Sequence, residues 1–396
     1  MNQWKEKAMK TIDALQTELL TLSHNIHANP ETSLTEHKAV AFIAELLRSQ
    51  GFQVEVGIGG LDTAFIATKQ GKGPGPHVAF MAEYDSLPGI GHACGHNVIA
   101  TCAVGAFLGA SAVMDDFDGT LSIIGTPGEE ADGGKVILLE AGVFDNVDFA
   151  LMMHPSSGRS LINRGGRAAT SIDIKFIGRS VHSSAPGHGI NALNAVISTF
   201  NHIDMLRPTF EMQDNVNGII TNGGLAANII PGEAACTFSL RAKTLIDLQK
   251  LSEKVTQAAQ SAAQLTGAQV EINVHRMYAE RYPNLPMCEA FKDNMAVLGE
   301  EMEYANPTGM YGSSDVGNVS IKLPAIHDYL AIAPRGVASH NAEFTVASKS
   351  ERADEICIKG AKGLAMTAID IFASPEFQQK IKQYHREQVP AEYREQ

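Results

Sequence analysis

The chain has 396 residues, 44% of them hydrophobic and 19% charged, which is more than one ordinary core holds and points to two unequal domains of a globular protein. Its 44 acidic against 31 basic side chains give a formal charge of −13, which would repel phosphates and argues against nucleic acid or anionic membrane and for a small-molecule partner. Five scattered cysteines, the lack of a charged-then-apolar leader and the lack of any apolar run near the roughly 20 residues that span a bilayer fit reduced thiols and a cytoplasmic location.

Trp4, Met9, Ile12, Leu15, Leu19, Leu22 and Ile26 recur at helical spacing and predict one amphipathic helix ending near Asn29-Pro30. A second helix is expected over about 36–50. Short apolar runs then alternate with helical stretches: a strand at 64–68, a strand at 77–82, a helix at 98–114, a strand at 121–126, a helix at 135–140 and a strand at 149–153. Uninterrupted apolar strands between helices read as an α/β fold, a mixed and mostly parallel sheet covered by helices on both faces. Ligands of such sheets gather at the carboxyl ends of strands.

The pattern changes after Arg164-Gly165-Gly166. A strand at 169–177, a helix at 191–206, strands at 218–222 and 234–240, a helix at 245–266 and a strand at 269–274 give the ferredoxin-like order. An inserted α+β domain is therefore expected at 167–280, with 1–166 and 281–396 forming the other domain. The return section is expected to hold a helix at 289–301, a Gly-rich loop at 309–317, a strand at 325–332, a helix at 348–372 and a polar tail at 377–396.

Chemistry-bearing residues follow the strands. Glu83, Asp85, Cys94 and His96 come after the second strand, Glu129-Glu130 after the third, His154-Pro155 after the fourth, and His340 after the last. Cys94 and His96, two apart in an extended segment, point to one side and can grip one ion. Singly, each has a plain alternative: a buried thiol, a solvated glutamate pair, a His-Pro turn. Together they supply a thiolate, three imidazoles and a carboxylate pair on one sheet edge, enough for two divalent ions. Paired ions share a bridging ligand, for which Cys94 is suited, and activate a water for amide hydrolysis. Adjacent glutamates divide the labour, Glu129 as base and Glu130 as ligand, while Asp85 orients an imidazole such as His96.

Six segments carry a resemblance: Glu83 to Pro88, His92 to Asn97, Gly128-Glu129-Glu130, His154-Pro155, Gly223 to Pro231 and Gly312 to Asp315. In order and along nearly the whole chain, these resemble the aminoacylase and carboxypeptidase G family of metallopeptidases. The likeness lies with its amidohydrolase branch, which includes hippurate hydrolase and indole-acetyl-amino-acid hydrolase. Asn97 and Glu83 bring it nearest the p-aminobenzoyl-glutamate hydrolase and dipeptidase members. The resemblance implies a two-zinc or two-manganese hydrolase with Cys94, His96, Glu130, His154 and His340 as ligands and Glu129 as base. Its substrates would be N-acyl amino acids, p-aminobenzoyl-glutamate-like compounds or dipeptides. One departure is Glu83, where many family members carry a ligand histidine. Thiolate favours zinc, whereas carboxylates tolerate manganese.

The resemblance implies that 1–166 and 281–396 bear the metals, that 167–280 serves dimerisation or as a lid, and that its His182 stabilises the oxyanion in a neighbouring subunit's active site in a homodimer. Arg241, on the face of its strand opposite Cys236, Phe238 and Leu240, could clamp a substrate carboxylate, and Asn228 could donate to a substrate carboxylate or carbonyl. Two other readings remain: a cysteine hydrolase using Cys94 and His96, and a catalytically silent small-molecule-binding homologue.

Overall fold

Along the strand His77–Ala82, Val78, Phe80 and Ala82 enter one apolar core while Ala79 and Met81 enter another on the opposite face of the sheet. Leu151 and Met153 against Ala150 and Met152 repeat this alternation, so both faces of the sheet are dry. The computed structural model describes residues 2–309 and 311–393. Met310 of the expected Gly-rich loop and Arg394–Gln396 of the expected tail lie outside them.

Two compact units divide the chain, residues 1–166 with 281–396 and residues 167–280. In the first, eight strands run in the order Val54–Val56, Phe65–Gln70, Thr120–Gly125, His77–Ala82, Phe149–Ser157, Ala325–Ala333, Leu161–Ile162 and Glu303–Tyr304. The four middle strands, Thr120–Gly125 to Ala325–Ala333, pair in parallel, and antiparallel pairs lie toward the edges. The helix His96–Ser111 is buried on every side, with Glu351–Ala373 and the N-terminal helices sharing its core. Gly134–Glu140 and Val316–Lys322 cover the other face. No helix among the described residues is long and apolar enough to cross a membrane, and all five cysteines are free and buried.

The second unit is a four-stranded antiparallel sheet in the order Gln269–Val274, Ala168–Ile177, Glu233–Ala242, Asn215–Asn222, with helices Ala192–Leu206 and Leu245–Thr266. Ile172, Ile174, Phe176, Cys236, Phe238 and Leu240 meet Val196, Leu251 and Val255 in a core of its own. The expected ferredoxin-like order is present.

Several local expectations are corrected. The N-terminal helix is two helices, Gln3–Ala14 and Gln16–Ala28; the Leu15 N–H is shared between the Thr11 and Ile12 carbonyls, a tightened turn that interrupts the α geometry. The helix expected from Glu289 starts at Leu285, where Asn284 caps the Met287 N–H and Pro286 fits the first turn. The strand expected to stop at Met153 continues through His154 and Pro155 to Ser157. Pro155 is tolerated because pairing with His77–Ala82 has already ended at Leu151. The short strands Val54–Val56, Leu161–Ile162 and Glu303–Tyr304 were not expected; two or three residues are too few to display an alternation.

Asp328 sits wholly buried in Ala325–Ala333, with Oδ1 accepting from the Asn163 N–H at 3.1 Å and Oδ2 without a partner among the described residues. Burial pushes its carboxyl up to about 7. The folded chain therefore holds a proton between about pH 4 and 7 that the unfolded chain, with an ordinary carboxyl near 3.9, has released. Stability from this group is full below that window and is lost as pH rises through it. Denaturant melts at pH 5 and pH 8 should show a stability decline that Asp328→Asn flattens; an unchanged decline in the variant would remove Asp328 as its source.

Candidate metal centre

Two glycines fold the polar loops onto the sheet edge. Gly95, at φ +79°, opens the helix His96–Ser111, and a Cβ there would lie 2.5 Å from Pro155 Cγ, so only glycine lets the Cys94–His96 segment approach the strand that carries His154. Gly128, at φ +73°, would put a Cβ 2.8 Å from Leu34 Cδ2, and its N–H donates to Glu36 Oε1 at 2.9 Å, which anchors the turn bearing Glu129 and Glu130. The late loop is tied in by its backbone: the His340 N–H donates to the Ala93 carbonyl and Ser348 Oγ to the His92 carbonyl, both at 2.9 Å. His340 is held at φ +64°, a left-handed conformation that costs a residue with a Cβ about 1–3 kcal/mol.

These loops bring the expected residues together from the ends of separate strands. Ligand atoms of Cys94, His96 and His154 lie within 4.8 Å of one another, as do those of Cys94, Glu130 and His340, and those of His96, Glu129 and Glu130. Cys94 Sγ is 3.4 Å from His154 Nε2, and His340 Nε2 is 3.6 Å from Glu130 Oε2. His96 Nε2 faces Glu83 Oε2 at 3.5 Å and Glu130 Oε1 at 3.7 Å. All three of these atoms are buried and without a hydrogen-bond partner among the described residues. Orphaned polar atoms aimed at one another are costly unless something lies between them.

The hydrogen bonds set the imidazole tautomers. A carbonyl only accepts, so His154 Nδ1 donates to the Pro155 carbonyl at 2.6 Å and leaves its Nε2 lone pair facing Cys94. His96 Nδ1 likewise donates to Asp85 Oδ1 at 2.8 Å, and Asp85 Oδ2 accepts from the Glu130 N–H at 2.9 Å. One buried carboxylate thus orients both an imidazole and the glutamate turn.

Charge is crowded here. Burial, then Glu83, Glu130 and Asp315, raise the Glu129 carboxyl well above its usual range. Burial lowers His154, helped by His96 and the guanidiniums of Arg164 and Arg281. Burial opposes the charge of His96, but Asp85 and Cys94 outweigh it and raise the imidazole. Burial and Glu130 push the Cys94 thiol up, opposite to what a cysteine nucleophile needs.

Glu83 faces a partner that sequence reading missed. Lys135, fully buried, donates Nζ to Glu83 Oε1 and, at 2.8 Å, to Asp315 Oδ1, while its N–H donates to Asp315 Oδ2 at 3.0 Å. The grouping of Glu83, Glu129 and Asp315 thus already holds an ammonium. Also missed were Arg164, Arg281, His327 and Tyr329, which pack beside His154. The alternation of His327 and Tyr329 in one strand was the available signal.

The remaining expected residues belong to the second unit. His182 is exposed; Ser184 N–H and Oγ both approach its Nδ1, at 3.2 and 2.8 Å, so the ring proton sits on Nε2. Asn228, exposed, accepts through its carbonyl from the Ser183 N–H at 2.9 Å, which brings it beside His182. Arg241 is half-buried on the face opposite Cys236, Phe238 and Leu240.

Residues 164–266 match the model of a peptidase dimerisation domain. The chain is 34% identical over 394 residues to the Xaa-Arg dipeptidase of Mus musculus, covering 96% of this chain and 91% of that protein. It is 26% identical over 452 residues to a component of the p-aminobenzoyl-glutamate hydrolase of Escherichia coli K12, covering 95% and 93%. Among solved structures, a dinuclear metal-binding M20 peptidase of Bacillus subtilis superposes with a TM-score of 0.61 at 22% identity, over 87% of this chain and 98% of that one. Sequence and fold agree with the motifs at the sheet edge: the chain belongs to the M20 family of peptidases and amidohydrolases.

Proposed function

We propose that the chain hydrolyses the amide bond of N-acyl amino acids, p-aminobenzoyl-glutamate-like compounds or dipeptides, with two divalent cations, zinc or manganese, in the first unit. The observation that carries this reading is the convergence of His96 Nε2, Glu130 Oε1 and Glu83 Oε2, buried and without hydrogen-bond partners among the described residues, beside Cys94, His154 and His340. The donor set fits: soft sulfur and imidazole nitrogen suit zinc, and carboxylate oxygen suits either ion. Cys94, His96, Glu130, His154 and His340 would hold the pair. When bound, the ions would acidify a water and polarise the scissile carbonyl.

The chain's own groups do the rest. Asp85 and the Pro155 carbonyl keep the Nε2 lone pairs of His96 and His154 directed inward. Glu129, buried and lifted in affinity for protons, is suited to take a proton from water and return it to the leaving amine. Lys135 bridges Glu83 and Asp315. In the second unit, Arg241 and Asn228 would bind the substrate, and His182, with its proton on Nε2, would serve the oxyanion in a neighbouring subunit. The match to a dimerisation domain supports a homodimer, as do Ile219 and Ile220, exposed on the strand Asn215–Asn222 at the sheet edge.

Dialysis against a chelator should abolish release of free amino acid from a panel of N-acyl amino acids and dipeptides, and added Zn²⁺ or Mn²⁺ should restore it. Full activity in metal-free protein would refute the reading. Glu129→Gln should lower kcat by about 10²–10⁴-fold, the typical range for a lost acid–base group, with metal content by elemental analysis unchanged. Unaltered kcat would remove Glu129 as the base. Light scattering should return twice the chain mass, and a monomer would refute the dimer.

A further inference from the structure

Beside His154 lies a cluster of opposite charge to the metal centre. The Arg164 guanidinium stacks 4.1 Å from the ring centre of Tyr329 and 4.8 Å from that of Tyr311. Arg281, only 7% exposed, donates Nη1 to Tyr329 Oη at 2.7 Å and to His327 Nδ1, and Nη2 to the Gly165 carbonyl at 2.9 Å. A guanidinium only donates, so His327 accepts at Nδ1 and carries its proton on Nε2. That leaves three buried donors without partners among the described residues: Arg164 Nε, Arg281 Nε and His327 Nε2.

No carboxylate lies within ion-pair distance of either guanidinium among the described residues, although both are at least half withdrawn from water. Burial and then the like charge of Arg281 act against the charge on Arg164, despite the rings of Tyr329 and Tyr311. A buried cation pair without an anion is destabilising, so a fold that keeps one has a use for it. The cluster reaches solvent at Arg164, Gly165 and Tyr311, which are all partly exposed. Its inner end is His154, whose ring centre is 5.3 Å from that of Tyr329 and 5.2 Å from that of His327.

We propose that Arg164 and Arg281, backed by Tyr329 and His327, form a subsite for a substrate carboxylate within the first unit, selecting acidic substrates. The planar fork of arginine matches the two oxygens of a carboxylate, and Tyr329 holds both guanidiniums in place by stacking and by hydrogen bond. The substrate class favoured is an amide of a dicarboxylic amino acid such as glutamate, in preference to one with a cationic side chain, which these guanidiniums would repel. This selection rests on the reading of the first unit as an amide hydrolase, but carboxylate binding can be read without turnover.

The test is calorimetric titration of glutarate, and of neutral glutaramide as control, into the metal-depleted full-length protein. Glutarate should bind saturably and glutaramide should not, and Arg164→Met should weaken glutarate by about tenfold or more, as loss of a charge-assisted bond implies. Should Arg164→Met lose its native thermal transition, Arg164→Lys, which keeps the charge and loses the fork, is read in its place. No saturable binding, or binding indifferent to Arg164, would overturn the subsite. Arg164-dependent binding together with no amide hydrolysis by metal-loaded protein would instead sink the hydrolase reading and leave the subsite standing.

Discussion

The structure turns on negative charge confined away from water. Glu83, Asp85, Glu129, Glu130 and Asp315 place five carboxyl groups, with the Cys94 thiol, in one largely dry region, and Lys135 is the ammonium set among them. Burying carboxylates without counter-charge costs several kcal/mol each in effective terms, so a stable fold neutralises them by protons or cations. Lys135 answers Glu83 and Asp315. What remains around His96, Glu130 and Cys94 is a set of inward-facing lone pairs that two divalent ions would satisfy. The raised carboxyl of Glu129 is the other face of the same crowding.

The surrounding architecture is what makes such crowding tenable. Strands buried on both faces hold His154 and the origins of the Glu83 and Glu129 loops in register. Gly95 and Gly128 allow approaches that any side chain would block, and the left-handed His340 shows strain retained in a loop pinned at both ends. Groups behind the imidazoles, Asp85 and the Pro155 carbonyl, hold each Nδ1–H, so both Nε2 atoms face inward before any ligand arrives. Past His154 the sign of the charge reverses at Arg164 and Arg281, which gives the first unit a cationic flank next to its anionic centre. A substrate carboxylate and bound cations would each meet the charge they require.

Most of the fold was legible because hydrophobic periodicity reports burial directly. The strand His77–Ala82 and the helix Leu245–Thr266 were read residue for residue, and the ferredoxin-like order followed from element sequence alone. Cys94, His96, Glu129, Glu130, His154 and His340 could be nominated because each follows or ends an apolar run and chemistry collects at strand ends. Their convergence could not be seen, since it depends on turns such as Gly95 against Pro155, 60 residues apart. Lys135 was invisible for the same reason: its partners are 52 and 180 residues away, and in sequence it looks like an ordinary helix lysine. Arg281 pairs with Tyr329 across 48 residues, and nothing local marks it as buried. The break at Leu15 and the extension of a strand through Pro155 were misread because local propensity describes neither a shared N–H nor a ladder that has already ended.

The most direct measurement is anomalous diffraction from crystals grown with zinc or manganese. Two peaks should appear within coordination distance of Cys94, His96, Glu130, His154 and His340, about 3.5–4 Å apart as in other two-metal sites, with Lys135 still seated between Glu83 and Asp315. A loaded crystal with no peak at these residues, or with a single ion bound elsewhere, would contradict the account.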